Sequence, residues 1–172
     1  MQQKVTINHF KQEVKMPLQT LKNFLDEKNV KYTAIQHSSA YTAQEIAASA
    51  HIPGKELAKT VIIKVDGKMG MAVLPASYKV SFDQLKNALN AEEVRLAYEQ
   101  EFIDKFPDCD VGAMPPFGNL YGMDVYVAES LAEDEEIAFS ACSHTELIKM
   151  KFSDYKELVN PIMFKFSILS KA

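Results

Sequence analysis

Residues 59–75 carry a strand–turn–strand pattern that limits the folds open to this chain. The segments KTVIIKV (59–65) and MGMAVLP (69–75) are strongly apolar, and Asp66-Gly67 lies between them as a typical two-residue hairpin turn. Strands joined this closely are antiparallel, because parallel neighbours need a long crossover connection. The pattern therefore predicts an antiparallel hairpin as one part of a β-sheet.

The other segments predict a single α+β domain. Apolar residues at helical spacing, together with capping pairs, predict helices at 17–30, 42–50, 81–90, 98–106 and from about Ser153 onward. Alternating or short apolar segments predict further strands at 4–10, 123–129, 135–141, 146–152 and 162–169. The strands come in hairpin-spaced groups, which favours a mixed, largely antiparallel sheet flanked by helices over a repeating βαβ fold. The 172 residues suit one such domain.

Composition narrows the classes of function. The net charge is −4, and Arg95 is the single arginine among 19 basic residues. This argues against a broad nucleic-acid footprint but not against a site that contacts one end of a nucleic acid. The four histidines are far apart and no CxxC, HxxxH or HExxH spacing occurs, so we expect no metal site and no cofactor. Without a secretory signal or a membrane-length apolar run, we expect a cytoplasmic protein with no membrane partner.

Lys59 and the stretch GAMPPFG (112–118) are the first candidates for a functional site. Lys59 begins the apolar strand and shares a face with Val61, Ile63 and Val65, because side chains alternate along a strand. The simpler interpretation is that a lysine at a strand's start extends its amine to water. Likewise, GAMPPFG is either a rigid bend between strands or a shaped loop whose backbone groups bind a small polar ligand.

The two cysteines raise a third candidate. Cys109 and Cys142 are too few for a disulfide framework, and we expect free thiols in a reducing compartment. In ACSH (141–144), Cys142 lies two residues before His144, a spacing that places both on one face of a strand. A cysteine nucleophile needs an activating base and a lowered pKa. No orienting acid accompanies this pair, so a small buried thiol beside a turn is favoured over a thiol-dependent hydrolase.

Five stretches of the chain, taken together and in their order, carry a resemblance to a known family. They are HSSAYTAQEIA (37–47), AKTVIIKVDGK (58–68), AVLPASYKVSFDQL (72–85), VGAMPPFG (111–118) and IAFSACSHTELIKMKFSDYKELV (137–159). Together they resemble the YbaK-like or prolyl-tRNA synthetase-associated editing domains. The resemblance implies a YbaK-like domain with a barrel-like core over residues 17–160. Residues 1–16 and 161–172 are then terminal extensions, the second a further strand.

The resemblance also implies roles for particular residues. The family's functional lysine opens the KTVIIK-type strand and matches Lys59, which holds the charged or polar end of the substrate as the catalytic residue. The family's GxxxP loop matches residues 112–116, and its backbone groups hold the aminoacyl group. The family's late AGSH turn matches ACSH, so the Cys142 side chain enters a place where relatives often have none. The substrate-binding residues expected are His37, Gly112, Ala113, Met114, Pro115, Pro116, Phe117, Gly118, Cys142, Ser143 and His144.

The implied function is that of a freestanding editor, which hydrolyses the ester between a tRNA and a wrongly attached amino acid. Such an ester is already activated, so a positioned water and oxyanion stabilisation suffice, and the terminal ribose hydroxyl of the tRNA helps to place the water. The expected substrates carry alanine, serine, threonine or cysteine, which synthetases separate poorly from close analogues.

The implied partners are the acceptor end of aminoacyl-tRNA and an aminoacyl-tRNA synthetase. The alternative is a catalytically silent module that binds aminoacyl-tRNA or a free amino acid. The alternating end segments leave both a monomer and a strand-mediated homodimer open.

Overall fold

Five α-helices and ten strands make up the computed structural model, which describes residues 17–38, 43–107 and 109–169. The helices are α1 (Pro17–Glu27), α2 (Ala43–Ser49), α3 (Phe82–Leu89), α4 (Glu99–Phe102) and α5 (Phe152–Val159). The strands are β1 (Tyr32–Gln36), β2 (Leu57–Val65), β3 (Lys68–Pro75), β4 (Tyr78–Val80), β5 (Val94–Leu96), β6 (Asp124–Ala128), β7 (Glu136–Ser140), β8 (Glu146–Lys151), β9 (Ile162–Phe164) and β10 (Ser167–Leu169).

The predicted hairpin is confirmed as the pair β2–β3. These strands are antiparallel in a register that runs from Ala58 opposite Pro75 to Val65 opposite Lys68. The turn residues Asp66 and Gly67 have φ values of 48° and 80°. Positive φ at both positions matches the right-handed twist of the strands, which is why an Asp-Gly pair is favoured there.

The predicted fold class is also confirmed: a mixed, largely antiparallel sheet is flanked by helices. The main sheet has the strand order β1-β8-β7-β2-β3-β6-β9, with β5 also paired to β2, and β10 pairs with β4 in a second sheet. Five of the eight pairings are antiparallel and three, β2–β7, β3–β6 and β6–β9, are parallel. Among the described strands, the path of the main sheet has its two ends at β1 and β9.

Several predicted boundaries change. The first helix ends at Glu27 rather than near residue 30, and the helix predicted at 98–106 is one turn, α4, followed by a 3-10 turn. The tail predicted at 162–169 is two strands, β9 and β10, separated around the fully buried Phe166. The predicted strand at 4–10 and Thr42, the first residue of the helix predicted at 42–50, lie outside the described residues.

The two faces of β2 pack into different apolar clusters. Ala58 and Ile62 belong to the largest cluster, whereas Ile63 belongs to another one, against which Val61 and Val65 also pack. Lys59 shares the odd-numbered face, as the sequence predicts, and lies at the end of that face where the apolar side chains stop. The start of β2 runs parallel to β7, with Leu57 beside Ala138. This pairing brings the beginning of one strand to the end of the other, where the candidate site lies.

Candidate functional site

A small cavity lies between the start of β2, the end of β7 and the loop at 112–118. It has a volume of ≈ 30 Å³, which is room for about two ordered water molecules. Its lining consists of Ile46, Leu57, Ala58, Lys59, Thr60, Gly112, Met114 and Ser140. Lys59 therefore meets Gly112 and Met114, which lie much later in the sequence, at one cavity.

Lys59 is held at this cavity by the end of the hairpin. Its Nζ donates a hydrogen bond to the carbonyl oxygen of Ala76 at 3.3 Å, just beyond β3. The side chain is half-buried, and this burial lowers the pKa of the Lys59 amine below its ordinary value. The positive charge of Lys79 on β4 lowers this pKa further. Lys59 is thus a partly desolvated cation with one modest backbone partner, which suits it to an anionic or polar ligand.

The loop offers backbone donors at the same cavity. Pro115 and Pro116 have no N–H group, and the N–H of Ala113 donates to the carbonyl of Asp110 at 2.9 Å. The N–H of Phe117 donates to the carbonyl of Pro115 at 2.8 Å, and Gly118 is buried away from the cavity lining. At the cavity, Gly112 and Met114 remain, and no hydrogen bond joins the N–H of either to another described residue. These two residues are the ones that line the cavity. The loop therefore has two amides available for a ligand, at the two positions that reach the cavity.

Gly112 has a backbone conformation that favours glycine. Its φ is +86°, a value that side-chain-bearing L-residues rarely adopt. Space is not the constraint, because an added Cβ would meet only His144 Cε1, at an ordinary 3.8 Å. A glycine is thus required here by the turn of the loop.

The second half of the loop is anchored in the core. Phe117 is fully buried, with its ring edge-on to Phe139 and Tyr155 at centroid distances of 5.4 Å each. The buried hydroxyl of Tyr155 donates to the carbonyl of Pro116 at 2.7 Å. A Cβ on Gly118 would lie 2.5 Å from the carbonyl oxygen of Met123, so this glycine permits a close backbone approach.

The second half of the loop positions the first half, and it does not itself line the cavity. The predicted substrate-binding residues that are buried away from the cavity lining are Ala113, Pro115, Pro116, Phe117 and Gly118. Direct contact between these five and a substrate remains a prediction.

The ACSH turn packs against the loop through a pair of backbone hydrogen bonds. The N–H of Asp110 donates to the carbonyl of Cys142 at 3.0 Å, and the N–H of Cys142 donates to the carbonyl of Ala113 at 2.9 Å. Cys142 has a φ of +65°, in the left-handed region that favours glycine. That conformation gives a physical reason for the glycine that the AGSH pattern has at this position.

The expectation of free thiols is wrong for this structure. Cys109 and Cys142 are joined in a disulfide, with their Cα atoms 4.3 Å apart across a sequence separation of 33 residues. Sequence spacing does not reveal this pairing, because it is the backbone pairing of Asp110 with Cys142 that brings the two cysteines together. With its sulfur bonded, Cys142 is not a thiolate nucleophile, which removes the basis for a thiol-dependent hydrolase in this form of the protein.

The other predicted residues lie beside the loop. The backbone N–H of His144 donates to Asp110 Oδ2 at 3.3 Å, and the Ser143 hydroxyl lies 2.8 Å from that of Thr145. The backbone N–H of His37 donates to the carbonyl of Thr145 at 2.9 Å. His37, Cys142, Ser143 and His144 thus form one neighbourhood next to the cavity, without lining it. Their contact with a substrate stays a prediction.

Sequence reasoning missed several lining residues. Thr60 and Ser140 supply hydroxyl groups, and Ile46 on α2 supplies an apolar wall. Ser140 had a weak signal, since it is a polar residue at the end of the apolar strand EIAFS. Thr60 had none, because a threonine within a strand is common.

The described part of the chain contains neither a metal-binding cluster nor a membrane-spanning helix. In residues 17–38, 43–107 and 109–169, no three histidine, cysteine, aspartate or glutamate side chains are grouped so as to hold a metal ion. Within the same ranges, each helix is too short or too polar to cross a membrane.

Solved structures of other proteins share the fold of this chain. A candidate trans-editing enzyme for prolyl tRNA synthetase superposes with a TM-score of 0.75 at 14% identity, covering 88% of this chain and 97% of that one. The hypothetical protein APE2540 superposes with a TM-score of 0.77 at 18% identity, covering 86% and 99%.

Sequence comparison identifies the family. Residues 37–158 match the aminoacyl-tRNA editing domain, and the chain belongs to this family, whose YbaK-like members it resembles. The proline--tRNA ligase of Bacillus mycoides (strain KBAB4) is 26% identical over 89 residues, which are 52% of this chain and 16% of the ligase. That of Staphylococcus epidermidis is 29% identical over 103 residues, 59% of this chain and 18% of the ligase. The chain thus spans less than a fifth of these relatives.

Proposed function

We propose that this protein is an aminoacyl-tRNA deacylase that acts in trans on tRNA carrying a small, wrongly attached amino acid. The observation that carries the proposal is the meeting of Lys59 with the amides of Gly112 and Met114 at one cavity. A cation and two available backbone donors suit an ester, which has a carbonyl oxygen that gains negative charge during hydrolysis. Membership of the aminoacyl-tRNA editing domain family supports this class of substrate.

The chemistry needs no nucleophilic side chain. Water attacks the ester carbonyl carbon, and the bond from that carbon to the ribose oxygen breaks. The departing oxygen takes a proton, which leaves a free ribose hydroxyl on the tRNA, and the amino acid is released as a carboxylate with a second proton passing to solvent. The amides of Gly112 and Met114 stabilise the oxyanion, while Lys59 holds the phosphate or another polar group of the terminal nucleotide.

The size of the cavity supports a small amino acid. A space of ≈ 30 Å³ suits a short side chain better than a long aliphatic or an aromatic one. Alanine, serine, threonine and cysteine are therefore the substrates that we propose, with the hydroxyls of Thr60 and Ser140 as neighbours for a polar side chain. The proposed partners are the acceptor end of the tRNA and an aminoacyl-tRNA synthetase that makes the error.

The experiment is a deacylation panel. Purified protein is mixed with tRNA charged with alanine, serine, threonine or cysteine, and the loss of the ester is followed against buffer alone. Correctly charged prolyl-tRNA and a tRNA carrying a large residue such as phenylalanine serve as controls. We expect at least one small amino acid to be released with multiple turnover and the phenylalanyl ester to be spared.

The same panel distinguishes the deacylase from the alternative function, a catalytically silent binding module. A catalytically silent module would bind these tRNAs without accelerating the loss of the ester. Binding without turnover across the panel contradicts the deacylase and favours the silent module. Equal hydrolysis of the phenylalanyl ester contradicts the size argument.

A further inference from the structure

The Cys109–Cys142 disulfide has no role in the proposed ester hydrolysis, but it lies where the loop at 112–118 is positioned. Its two ends are 33 residues apart in sequence. One end comes just before the loop, and the other belongs to the ACSH turn that packs against the loop. The disulfide therefore constrains two segments whose relative position sets where Gly112 and Met114 lie at the cavity.

The fold as a whole does not depend on this bond. A domain of 172 residues buries enough apolar surface to fold without a disulfide. Phe117 and Tyr155 already fasten the far end of the loop to the core. Opening of the disulfide is thus expected to change the loop and the turn locally, while the rest of the molecule stays folded.

The two cysteines differ in exposure. Cys142 is buried, with 5% of its surface exposed, whereas Cys109 is half-buried. The residues around Cys109 are at the surface, since Pro107, Asp110 and Val111 are all exposed. Thiol–disulfide exchange requires an incoming thiolate to reach one of the two sulfur atoms. We expect Cys109 Sγ to be the atom that is reached and Cys142 to be the leaving thiolate.

The backbone of Cys142 makes the turn sensitive to the state of its sulfur. Its φ of +65° is a conformation that glycine adopts freely and that a residue with a Cβ adopts at a cost. Once the disulfide opens, nothing covalent keeps Cys142 there, and a return to negative φ moves its N–H away from the carbonyl of Ala113. That carbonyl lies between the two residues whose amides are available at the cavity.

We propose that Cys109 and Cys142 form a reversible thiol–disulfide site that controls the loop at 112–118, with the disulfide favouring hydrolysis and the two thiols impairing it. The effect on hydrolysis rests on the proposed function, because the groups that move are the amides of Gly112 and Met114. A glycine at position 142 would free the turn from this control, since it needs no covalent constraint to keep a positive φ.

The co-reactant is a dithiol. One thiolate of the dithiol attacks Cys109 Sγ, the Sγ–Sγ bond breaks, and Cys142 leaves as a thiolate that takes up a proton. The second thiolate of the dithiol then attacks the sulfur that its own molecule has placed on Cys109, and Cys109 leaves and is protonated in turn. The protein gains two electrons and two protons, and the dithiol is oxidised to a disulfide.

The test compares three proteins after treatment with either dithiothreitol or the thiol oxidant diamide, each removed before measurement under argon. The wild type can form the bond. Cys109→Ser cannot, but it keeps a side chain at position 142. Cys109→Ser/Cys142→Gly lacks both the bond and that side chain. Alkylation followed by mass measurement counts the free thiols in each protein.

Two further readouts follow the consequence of the bond. Amide hydrogen exchange of the segment 109–118 reports on the loop without any substrate. The value of kcat/KM for the best ester of the deacylation panel reports on hydrolysis.

We expect no free thiol in the oxidised wild type and two in the reduced wild type. Reduction should speed exchange in the segment about tenfold and lower kcat/KM about tenfold, because less well-positioned donors stabilise the oxyanion less. Cys109→Ser should match the reduced wild type after either treatment. The double variant should give the same exchange and the same kcat/KM after both treatments.

Several results would overturn the proposal. Two free thiols in the diamide-treated wild type, or equal exchange in its two states, overturns it whatever the activity. Equal kcat/KM in the two states overturns the control of hydrolysis while the deacylase stands. A double variant that responds to dithiothreitol as the wild type does assigns the effect to another group. If reduction speeds exchange and no ester is hydrolysed in either state, the deacylase fails while the thiol–disulfide control of the loop stands.

Discussion

Lys59 shows how one residue combines two environments. Its backbone belongs to an apolar strand, whereas its amine lies where the apolar face ends. There the amine donates a hydrogen bond to the carbonyl of Ala76. Burial and the charge of Lys79 both disfavour the ammonium form, so the pKa of Lys59 is lowered. A cation with little competing solvation binds an anionic group more strongly than an exposed lysine does, as long as it stays protonated.

The first prediction concerns pH. Because the pKa of Lys59 is lowered, binding that needs its ammonium form is complete below that pKa and is lost as the pH rises through it. Lys79→Ala removes one of the two causes and raises the pKa of Lys59, so the alkaline loss of binding moves to higher pH. The measurement is the affinity, as a function of pH, of adenosine 5′-phosphate that carries the amino acid through a stable 3′-amide. Lys86→Ala, on the exposed face of α3, is the control expected to leave the profile in place.

Alanine substitutions at Gly112 and Gly67 distinguish an effect on stability from an effect on activity. Gly112 and Gly67 have similar φ values, +86° and +80°, and an added Cβ meets no close atom at either. Replacing either glycine by alanine should cost about 1–2 kcal/mol of stability. Gly112→Ala should also lower kcat/KM on the order of tenfold to a hundredfold, because the amide donors shift. Gly67→Ala, in the hairpin turn away from the cavity, should leave kcat/KM unchanged.

Unfolding by denaturant and single-turnover deacylation measure the two effects. Equal activity of Gly112→Ala and Gly67→Ala would mean that GAMPPFG is only a bend. Met114→Leu, which keeps the backbone amide, is expected to retain most activity.

At the scale of elements, the loop and the ACSH turn behave as one unit. They share two backbone hydrogen bonds, and the Cys109–Cys142 disulfide joins them covalently. Phe117 and Tyr155 fasten the other end of the loop to the core. Preorganisation of this kind lets backbone amides stabilise charge without reordering during the reaction.

The third prediction concerns the turn. In a Cys109→Ala background, both Cys142→Gly and Cys142→Ala lose the disulfide, which contributes about 3–4 kcal/mol for a loop of this length. Cys142→Gly should be more stable than Cys142→Ala by about 1 kcal/mol, because φ at this position is +65°. Thermal and denaturant unfolding of the two variants measure this difference. A more stable alanine variant would contradict the left-handed conformation of the turn.

The same pair of variants tests the chemistry. Both are expected to hydrolyse the ester, since neither sulfur takes part in the proposed reaction. Loss of turnover in both, with the fold retained, would bring the cysteine back as a participant.

The sequence predicts the elements that have strong local signals. The Asp-Gly turn and the apolar strands around it predict β2–β3, and Ser81 caps α3 by accepting from the N–H of Gln84 at 3.3 Å. The strands β1, β4 and β5 were missed because they are short and obtain their order from pairing partners elsewhere in the chain. Local propensity cannot reveal such strands.

The residues of the candidate site likewise divide into those with a local sequence signal and those that depend on distant pairing. Lys59 and the loop were predicted by pattern and resemblance, and the structure places Lys59, Gly112 and Met114 at one cavity. Ser140 and Thr60 depend on the parallel pairing of β2 with β7, which no local pattern encodes. The disulfide likewise depends on tertiary contact rather than on cysteine spacing.

For the whole molecule, the charge balance suits the limited contact with nucleic acid that the proposed function requires. The chain has a net charge of −4 and one arginine, whose guanidinium is engaged by Glu101. A protein that follows a long stretch of phosphate backbone needs many more cations. The cavity is small, and Lys59 is its one cationic lining residue among the described residues. Selectivity among tRNAs therefore requires contacts outside this site or a partner protein.

The central claim is that Lys59 and the 112–116 loop form the site of a deacylase. The most direct test is single-turnover hydrolysis of the best ester in the panel by wild type, Lys59→Ala and Lys68→Ala. Lys68 is a matched control, because it is a lysine at the other end of the hairpin, in an exposed ion pair with Asp124. We expect a loss on the order of a hundredfold for Lys59→Ala and none for Lys68→Ala. Equal rates for all three proteins, or for protein and buffer, would contradict it.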